Sequence, residues 1–373
     1  MAKDPLIYKT AWQDEFYEAK LKHFTQLVND ALDSRVFPGL DVLMFRGKEV
    51  LYREVFGHKE LKPQKTRLLM NSIFDVASMT KAMITGPLIM ILLEQGKLNL
   101  STPISSYFQE FATDDKKDIT IKHLLTHSSG LPDWHNLHEN MASIEEAKKT
   151  LLTLDLEYPV GTKALYSCMG FIILKLIIER ICGKSIDEVA NDWLLKPLAM
   201  NDSCFNPPKE LWGRIPATGD CSWRNRIITG EVHDENSCFF NGLGGNAGLF
   251  STAHDVAVFS NMLLNKGLWN GTRILSPASI KLMIENHTNP VVPRGLAFNL
   301  QDRDYDPGGE LFGEGSFGHT GFTGTSFWID PDRSLGIILL TNRVHISYRG
   351  NIPEMKSFRM RAHNILLSAL KKQ

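Results

Sequence analysis

The sequence contains a serine–lysine pair whose spacing and surroundings suit nucleophilic chemistry. Ser78 and Lys81 lie three residues apart, where an apolar stretch gives way to a predicted helix. At a helix N-terminus this spacing places the amine on the same face as the hydroxyl, and backbone N–H groups point at any oxyanion that forms there. A lysine kept neutral by desolvation could take the serine proton. The pair is therefore compatible with covalent catalysis by Ser78.

The same spacing also has a simpler structural interpretation. Ser78 could cap the helix while Lys81 is a solvated charge in its first turn. The spacing occurs again at Ser368 and Lys371, on the last turn of a predicted terminal helix beside the end of the chain. Spacing alone therefore leaves catalysis and capping both open.

Two further motifs add groups that could work with the pair. Tyr166 begins a Tyr-Ser-Cys run at the start of another predicted helix. His319 begins a His-Thr-Gly run that leads into a predicted strand at 325–329. The serine–lysine pair therefore does not stand alone in the sequence.

The order Ser-x-x-Lys, Tyr-x-x, His-Thr-Gly resembles the class C β-lactamase superfamily. That superfamily includes serine DD-peptidases, family VIII esterases and cytoplasmic muropeptide amidases. Segments 123–132, 245–253 and 341–345 also look like it, so the resemblance spans nearly the whole chain. It implies a hydrolase that works through an acyl-enzyme, without a metal ion or an organic cofactor.

The resemblance also implies roles for the motif residues. Ser78 would be the acylated nucleophile, with Lys81 and Tyr166 sharing proton transfer as general base and acid. Neither group is potent unless its pKa falls, and we expect their adjacency and burial to bring both pKa values nearer to neutrality. The backbone N–H groups of Ser78 and Phe322 would form the oxyanion hole.

Substrate contacts are expected from His319, Thr320 and Gly321 across the cleft, and from Cys168. The superfamily usually has asparagine at the position of Cys168, and a thiol cannot donate and accept as an amide does. Class C β-lactamases carry lysine where His319 stands, and a neutral imidazole attracts a carboxylate less than an ammonium does. Both departures favour an ester or amide substrate over a β-lactam. Arg343 could bind a substrate carboxylate or form a surface salt bridge.

The predicted function is therefore serine hydrolysis of small esters, amides or muropeptides, by an esterase or a cytoplasmic muropeptide amidase. Segments 223–226 and 230–236 look like a loop of relatives that cleave the bond between N-acetylmuramate and L-alanine. A class C-type β-lactamase and a D-alanyl carboxypeptidase remain alternatives. So does a penicillin-binding-like sensor that is acylated without turnover, because Cys168 leaves slow deacylation open.

Composition narrows the partners and the compartment. The 373 residues have a formal net charge of -1, which disfavours nucleic-acid binding. The five cysteines are odd in number and widely spaced, so we expect reduced thiols rather than a disulfide framework. The start of the sequence lacks the apolar stretch of a secretory signal, which predicts a cytoplasmic protein without a membrane partner. Oligomeric state is left open.

The predicted elements suggest an α+β fold of the β-lactamase/DD-peptidase type. An amphipathic helix at 13–32 precedes a hairpin at 40–45 and 50–56, and strands at 325–329 and 335–341 precede a last helix at 353–370. Mostly helical patterns lie between these ends, at 81–95, 119–126, 144–152, 169–182 and 254–264. We therefore predict an antiparallel sheet flanked by helices, formed by 1–75 and 215–373, with an inserted helical domain at 76–214. The active site is expected at the interface of the two domains.

Overall fold

The computed structural model describes residues 6–9, 14–288, 292–302 and 308–372. Within these residues the strands are β1 (Ile7–Tyr8), β2 (Gly39–Arg46), β3 (Glu49–Glu60), β4 (Thr66–Arg67), β5 (Phe74–Asp75), β6 (Cys204–Phe205), β7 (Asp220–Cys221), β8 (Arg226–Ile227), β9 (Leu249–Ser251), β10 (Leu268–Trp269), β11 (Thr272–Arg273), β12 (Asn299–Leu300), β13 (Phe317–Thr320), β14 (Ser326–Asp330) and β15 (Leu335–Thr341).

The α-helices in the same residues are α1 (Glu18–Asp33), α2 (Gly86–Glu94), α3 (Ile121–Leu125), α4 (Ile144–Thr153), α5 (Cys168–Cys182), α6 (Ile186–Ala190), α7 (Glu235–Phe239), α8 (Ala253–Leu264), α9 (Pro277–Ile284) and α10 (Ile352–Ala369). Two π-helical turns are Lys81–Thr85 and Asn191–Leu195. Short 3-10 helices are Ile104–Ser106, Gln109–Phe111, Lys209–Arg214 and Arg343–His345. No helix in the described ranges is long and apolar enough to span a bilayer. The cytoplasmic location stays a prediction.

The main sheet has the strand order β1-β3-β2-β15-β14-β13-β12, with β4 paired to β3. Its neighbours are antiparallel except for β1, which runs parallel to β3. The predicted hairpin is confirmed, with Gly47 at φ +51 in the turn between β2 and β3. Strand β3 is longer than predicted because its far end pairs with β4.

Both faces of this sheet are buried. Leu40, Val42 and Met44 of β2 pack in one core with α1 and α10, whereas the alternate residues Leu43 and Phe45 pack in the core that contains α8. This two-sided burial explains why the central strands are continuous apolar runs rather than alternating ones. The fold predicted from the sequence, an antiparallel sheet flanked by helices, is confirmed.

The helices between the sheet segments begin and end close to the predicted limits, apart from the first. Helix α1 begins at Glu18 rather than at 13, and residue 13 itself lies outside the described residues. The two residues directly before α1 are extended, because Phe16 forms an antiparallel bridge with Leu370 and Tyr17 N–H donates to the carbonyl of Ala369 (2.8 Å).

The proposed division into two domains is not visible in the packing of the core. One cluster of buried side chains extends from Leu43 on the sheet to Phe171 on α5, within the segment expected to form the inserted domain. Every residue of α5 from Met169 to Ile178 is buried, which is typical of a central helix. The domain boundaries therefore stay a prediction.

Candidate active site

Ser78 lies on a strained turn that follows β5. Ala77, directly before it, has φ +47, a conformation that residues other than glycine adopt rarely. Hydrogen bonds on both sides maintain this turn: Ala77 N–H donates to Asp75 Oδ1 (2.8 Å), Thr323 Oγ1 to the carbonyl of Asp75 (2.8 Å), and Thr325 Oγ1 to the carbonyl of residue 76 (3.1 Å). The turn therefore presents Ser78, which is partly exposed, from a rigid base.

Lys81 is completely buried behind the serine. Its Nζ donates to Ser78 Oγ at 3.0 Å, to the carbonyl of Asn246 at 2.9 Å and to Cys168 Sγ at 3.5 Å. These three acceptors match the three N–H donors of an ammonium. Lys81 is therefore not a solvated charge, and the capping interpretation of the Ser-x-x-Lys spacing is wrong for this pair.

Tyr166 and Cys168 complete the surroundings of the lysine. The Nζ of Lys81 lies 4.8 Å from the centre of the Tyr166 ring, and that ring packs against His127 at 4.5 Å between centroids. Helix α5 begins at Cys168 and is capped by the Ser167 side chain, which accepts from the N–H of Gly170. The cap fixes the start of the helix and so brings Tyr166 and Cys168 close to Lys81.

The charge states of Lys81 and Tyr166 differ from the expected ones. Burial disfavours the charge of Lys81, but Cys168, Tyr166 and Asp234 favour it, and its pKa is raised. Burial also raises the pKa of Tyr166, although Lys81 opposes that shift. Both groups therefore keep their protons at neutral pH as an ammonium and a phenol. The expectation that both pKa values fall is wrong, because burial outweighs the lysine at Tyr166 and the neighbouring groups outweigh burial at Lys81.

The turn after β13 packs closely against the turn that carries Ser78. Gly321 N–H donates to the carbonyl of Thr325 (2.8 Å), and a Cβ at Gly321 would lie 2.5 Å from the carbonyl oxygen of Val76, next to the Ser78 turn. Only glycine permits this close approach. Within the described ranges no acceptor is found for the backbone N–H of Ser78 or of Phe322. Their role as an oxyanion hole stays a prediction.

His319 is buried, whereas the next two residues, Thr320 and Gly321, line the cavity beside Ser78. It is 2% exposed, and its Nδ1 donates to the carbonyl of Thr320 (2.8 Å). Burial and the nearby Lys81 lower its pKa to about 3, so the imidazole is neutral. In the part of the chain that the structure describes, the cavity at Ser78 is lined by Thr320 and Gly321 but not by His319. Direct binding of substrate by His319 thus stays a prediction.

The cavity at Ser78 has a volume of about 560 Å³. Its lining includes Tyr166, Cys168 and the cations Arg343 and Arg359. A cavity of this size accommodates a small organic substrate.

Arg343 is 3% exposed, and its Nη1 donates to Asn351 Oδ1 (2.8 Å) while the guanidinium lies 4.6 Å from the Phe322 ring. Burial lowers the pKa of Arg343 to about 10. The alternative of a surface salt bridge is therefore wrong.

Arg359 on α10 was not predicted from the sequence. Its Nη2 donates to the carbonyl of Gly324 (3.2 Å), and burial together with Arg343 lowers its pKa to about 10. Among the described residues neither arginine forms an ion pair with a carboxylate, although buried charges are normally paired. Both arginines can therefore pair with an anionic group of a ligand, although the cavity lining also includes the carboxylates of Asp133, Asp234 and Glu235.

Asp75 is a second residue that the motifs did not indicate. Its carboxylate accepts from Ala77 N–H and from His233 N–H (2.7 Å), and burial raises its pKa to about 6. We expect Asp75→Asn to lower the acylation rate of Ser78 by about 10², because the new amide N–H would face one of the two backbone N–H donors and displace the turn. The rate can be measured by intact mass after rapid quenching of a p-nitrophenyl acetate reaction.

Asp41 provides the matched control for this variant. It is also a buried carboxylate whose pKa is raised by burial to about 6, but it pairs with Arg53 on the sheet and does not line the cavity. Asp41→Asn should lower the free energy of unfolding without lowering the acylation rate. An unchanged acylation rate in Asp75→Asn would show that the turn does not depend on this carboxylate.

Residues 24–354 match the model of the beta-lactamase family. The N-acetylmuramyl-L-alanine amidase of Bacillus subtilis (strain 168) is 30% identical in an alignment of 365 positions that covers 89% of this chain and 82% of that protein. D-alanyl-D-alanine carboxypeptidase activity is attributed to a protein of Escherichia coli O157:H7. That protein is 27% identical to this chain, in an alignment that covers 92% of this chain and 87% of that protein. Among solved structures, EstCE1, a hydrolase with promiscuous acyltransferase activity, superposes with a TM-score of 0.73 at 20% identity, covering 94% of this chain and 99% of that one.

Proposed function

The chain belongs to the beta-lactamase family of serine hydrolases, and from this premise we propose that it cleaves an amide bond of a small, anionic muropeptide through an acyl-enzyme on Ser78. The observation that carries the proposal is the hydrogen bond of 3.0 Å between Lys81 Nζ and Ser78 Oγ at the wall of the cavity. An ester of similar size would undergo the same chemistry.

In the acylation step Ser78 Oγ attacks the carbonyl carbon of the substrate and its proton passes to the Lys81–Tyr166 pair. The backbone N–H groups of Ser78 and Phe322 stabilise the oxyanion. The carbon–nitrogen bond then breaks, and the leaving amine takes the proton back from the pair. In deacylation a water molecule attacks the acyl carbonyl and gives one proton to the same pair. The ester bond to Ser78 Oγ then breaks, Oγ takes that proton back, and the acid is released.

The reactive form of the free enzyme has one proton fewer on the Lys81–Tyr166 pair than the resting form. Because the pKa values of both groups are raised, this form is a minority species at neutral pH. We expect kcat/KM for p-nitrophenyl acetate to rise by about tenfold per pH unit between pH 6 and 9, after subtraction of spontaneous hydrolysis. A plateau that is reached below pH 7 would indicate a base with a lowered pKa and would contradict the assigned charge states.

Two observations support a muropeptide as the substrate. Arg343 and Arg359 offer guanidinium N–H groups to an anion in the cavity, and a muropeptide carries carboxylates. The relative that is 30% identical is named for the cleavage of N-acetylmuramyl-L-alanine. The neutral state of His319 removes a charge that would otherwise favour the carboxylate of a β-lactam.

The test is incubation of the protein with muramoyl dipeptide, p-nitrophenyl acetate and a chromogenic cephalosporin, followed by product analysis and intact mass. We expect muramoyl dipeptide to be cleaved to N-acetylmuramic acid and the dipeptide, the ester to be hydrolysed, and the cephalosporin to react at least tenfold more slowly than the ester. Rapid turnover of the cephalosporin would instead identify a β-lactamase. A stable acyl adduct without turnover would identify a sensor.

A further inference from the structure

Asp234 is a carboxylate in the lining of the cavity that the catalytic scheme does not use. It caps α7, because its Oδ1 accepts from the N–H of Ser237 (2.7 Å). Within the described ranges its Oδ2 has no hydrogen-bond partner, and Oδ2 is not one of the unpartnered atoms that are shut off from solvent. The fold therefore fixes one carboxylate oxygen and leaves the other available to a molecule in the cavity.

A shared carboxylate holds Asp234 beside Ser78. Asp75 accepts from the N–H of Ala77 at one oxygen (2.8 Å) and from the N–H of His233 at the other (2.7 Å). Ser78 directly follows Ala77 in the chain, and Asp234 directly follows His233. The turn that carries the nucleophile and the residue that caps α7 are therefore adjacent in space.

A second set of contacts connects Asp234 to Lys81. Ser237, whose N–H is bound by Asp234, donates from its Oγ to Asn246 Oδ1 (3.0 Å), and the carbonyl of Asn246 accepts from Lys81 Nζ (2.9 Å). Burial lowers the pKa of Lys81, and the negative charge of Asp234 is one of the influences that oppose this effect. The carboxylate is therefore close to both members of the serine–lysine pair.

The other two carboxylates of the cavity lining are placed differently. Glu235 is already bound by the hydroxyl of Tyr348, which lies 3.3 Å from its Oε1 and 3.5 Å from its Oε2. Asp133 is exposed, and its contact with the site is made by its backbone carbonyl, which accepts from the N–H of Cys168 (2.8 Å). Asp234 is thus the carboxylate that the hydrogen bonds bring next to Ser78 and Lys81.

Deacylation needs a group with the properties of Asp234 Oδ2. The attacking water has two protons, and only one of them passes to the Lys81–Tyr166 pair. The second O–H requires an acceptor in the cavity, and a carboxylate oxygen is a strong one. Holding this O–H in place also fixes the direction in which the water oxygen approaches the acyl carbonyl.

We propose that Asp234 Oδ2 accepts a hydrogen bond from the water molecule that deacylates Ser78 and orients it toward the acyl carbonyl. The water oxygen bonds to the acyl carbon, and one of its protons passes to the Lys81–Tyr166 pair. The ester bond then breaks, and Ser78 Oγ takes that proton. The other proton stays on the water oxygen and leaves with the acid. The inference rests on the proposed function in one respect, the acyl-enzyme on Ser78.

The test compares Asp234→Asn with the wild type on saturating p-nitrophenyl acetate. Asparagine keeps the capping oxygen but places an N–H donor where the water needs an acceptor. The readouts are kcat and the ratio of acetylated to free enzyme, measured by intact mass after rapid quenching, and together they give the rates of acylation and deacylation. We expect deacylation to slow by about 10- to 100-fold and acylation to change by less than about threefold.

Further variants separate the water from the helix cap. Asp234→Asn should melt close to the wild-type temperature, because asparagine caps helices as well as aspartate does. Asp234→Ser also provides a cap but has no oxygen at the position of Oδ2, and it should slow deacylation to a similar extent. Asp192→Asn is the matched control, since Asp192 lies in the first turn of the π-helical segment Asn191–Leu195 and outside the cavity. This variant should keep both rates.

The outcomes distinguish this inference from the proposed function. A ratio of acetylated to free enzyme within about twofold of the wild type in Asp234→Asn overturns the inference alone. A parallel fall of both rates with a lower melting temperature also overturns it, because Asp234 would then only stabilise α7. No acetyl adduct on Ser78 in either protein overturns the acyl-enzyme and the inference together. Slow deacylation in Asp234→Asn, in a protein that does not cleave muramoyl dipeptide, supports the inference and overturns the muropeptide substrate alone.

Discussion

Replacing Ser78 with alanine should abolish the hydrolysis of every substrate, with a loss in kcat on the order of 10⁶-fold. The reason is that the acyl intermediate forms on Ser78 Oγ, which lies 3.0 Å from Lys81 Nζ. The nearest substitute nucleophile is the thiol of Cys168, 3.5 Å from the same nitrogen. Burial raises the pKa of that thiol, so it stays protonated and does not replace the serine.

The measurement for Ser78→Ala is kcat on p-nitrophenyl acetate, with intact mass to detect any acyl adduct. Ser368→Ala is the matched control, because Ser368 has the same spacing to a lysine but its Oγ donates to the carbonyl of Ile365 on α10 (3.0 Å). That variant should keep the rate of the wild type. Retention of more than about a tenth of the activity by Ser78→Ala would refute the nucleophile assignment.

Tyr166→Phe is expected to lower kcat by about 10² to 10⁴-fold while the protein stays folded. Phenylalanine keeps the ring against His127 and beneath the Lys81 ammonium, and only the phenolic group that shares the proton is lost. The measurement is kcat together with the melting temperature.

Tyr107→Phe removes a phenol from a partly buried tyrosine that does not line the cavity, and should leave kcat unchanged. If Tyr166→Phe loses stability in parallel with activity, Tyr166 is a packing residue and its role in proton transfer is wrong.

Most of the secondary structure could be predicted because it depends on neighbours in the chain. The hairpin of β2 and β3 follows from two apolar runs around a glycine turn, and α5 and α8 begin within one residue of the predicted positions. The start of α1 could not be predicted, because Phe16 pairs with Leu370 at the opposite end of the chain. Local patterns do not record such a contact.

The sequence motifs alone were sufficient to predict which side chains lie together in the site. Ser78, Lys81, Tyr166 and Cys168 come together in the structure as their order along the chain had indicated, although their catalytic roles stay predictions. The contacts that support them could not be predicted. Asp75 and His233 are joined across 158 positions, and Lys81 and Asn246 across 165.

The protonation states of the site residues depend on the tertiary structure. From the sequence, the pKa values of Lys81 and Tyr166 were expected to lie nearer to neutral pH, and Arg343 could have been a surface residue. The fold buries all three to different degrees and surrounds each with groups from distant segments, and it adds Arg359 and His233 to the same cavity. A side chain's type fixes which proton it can carry, but burial and the donors and acceptors around it determine whether that proton stays, and these depend on packing between segments far apart in the chain.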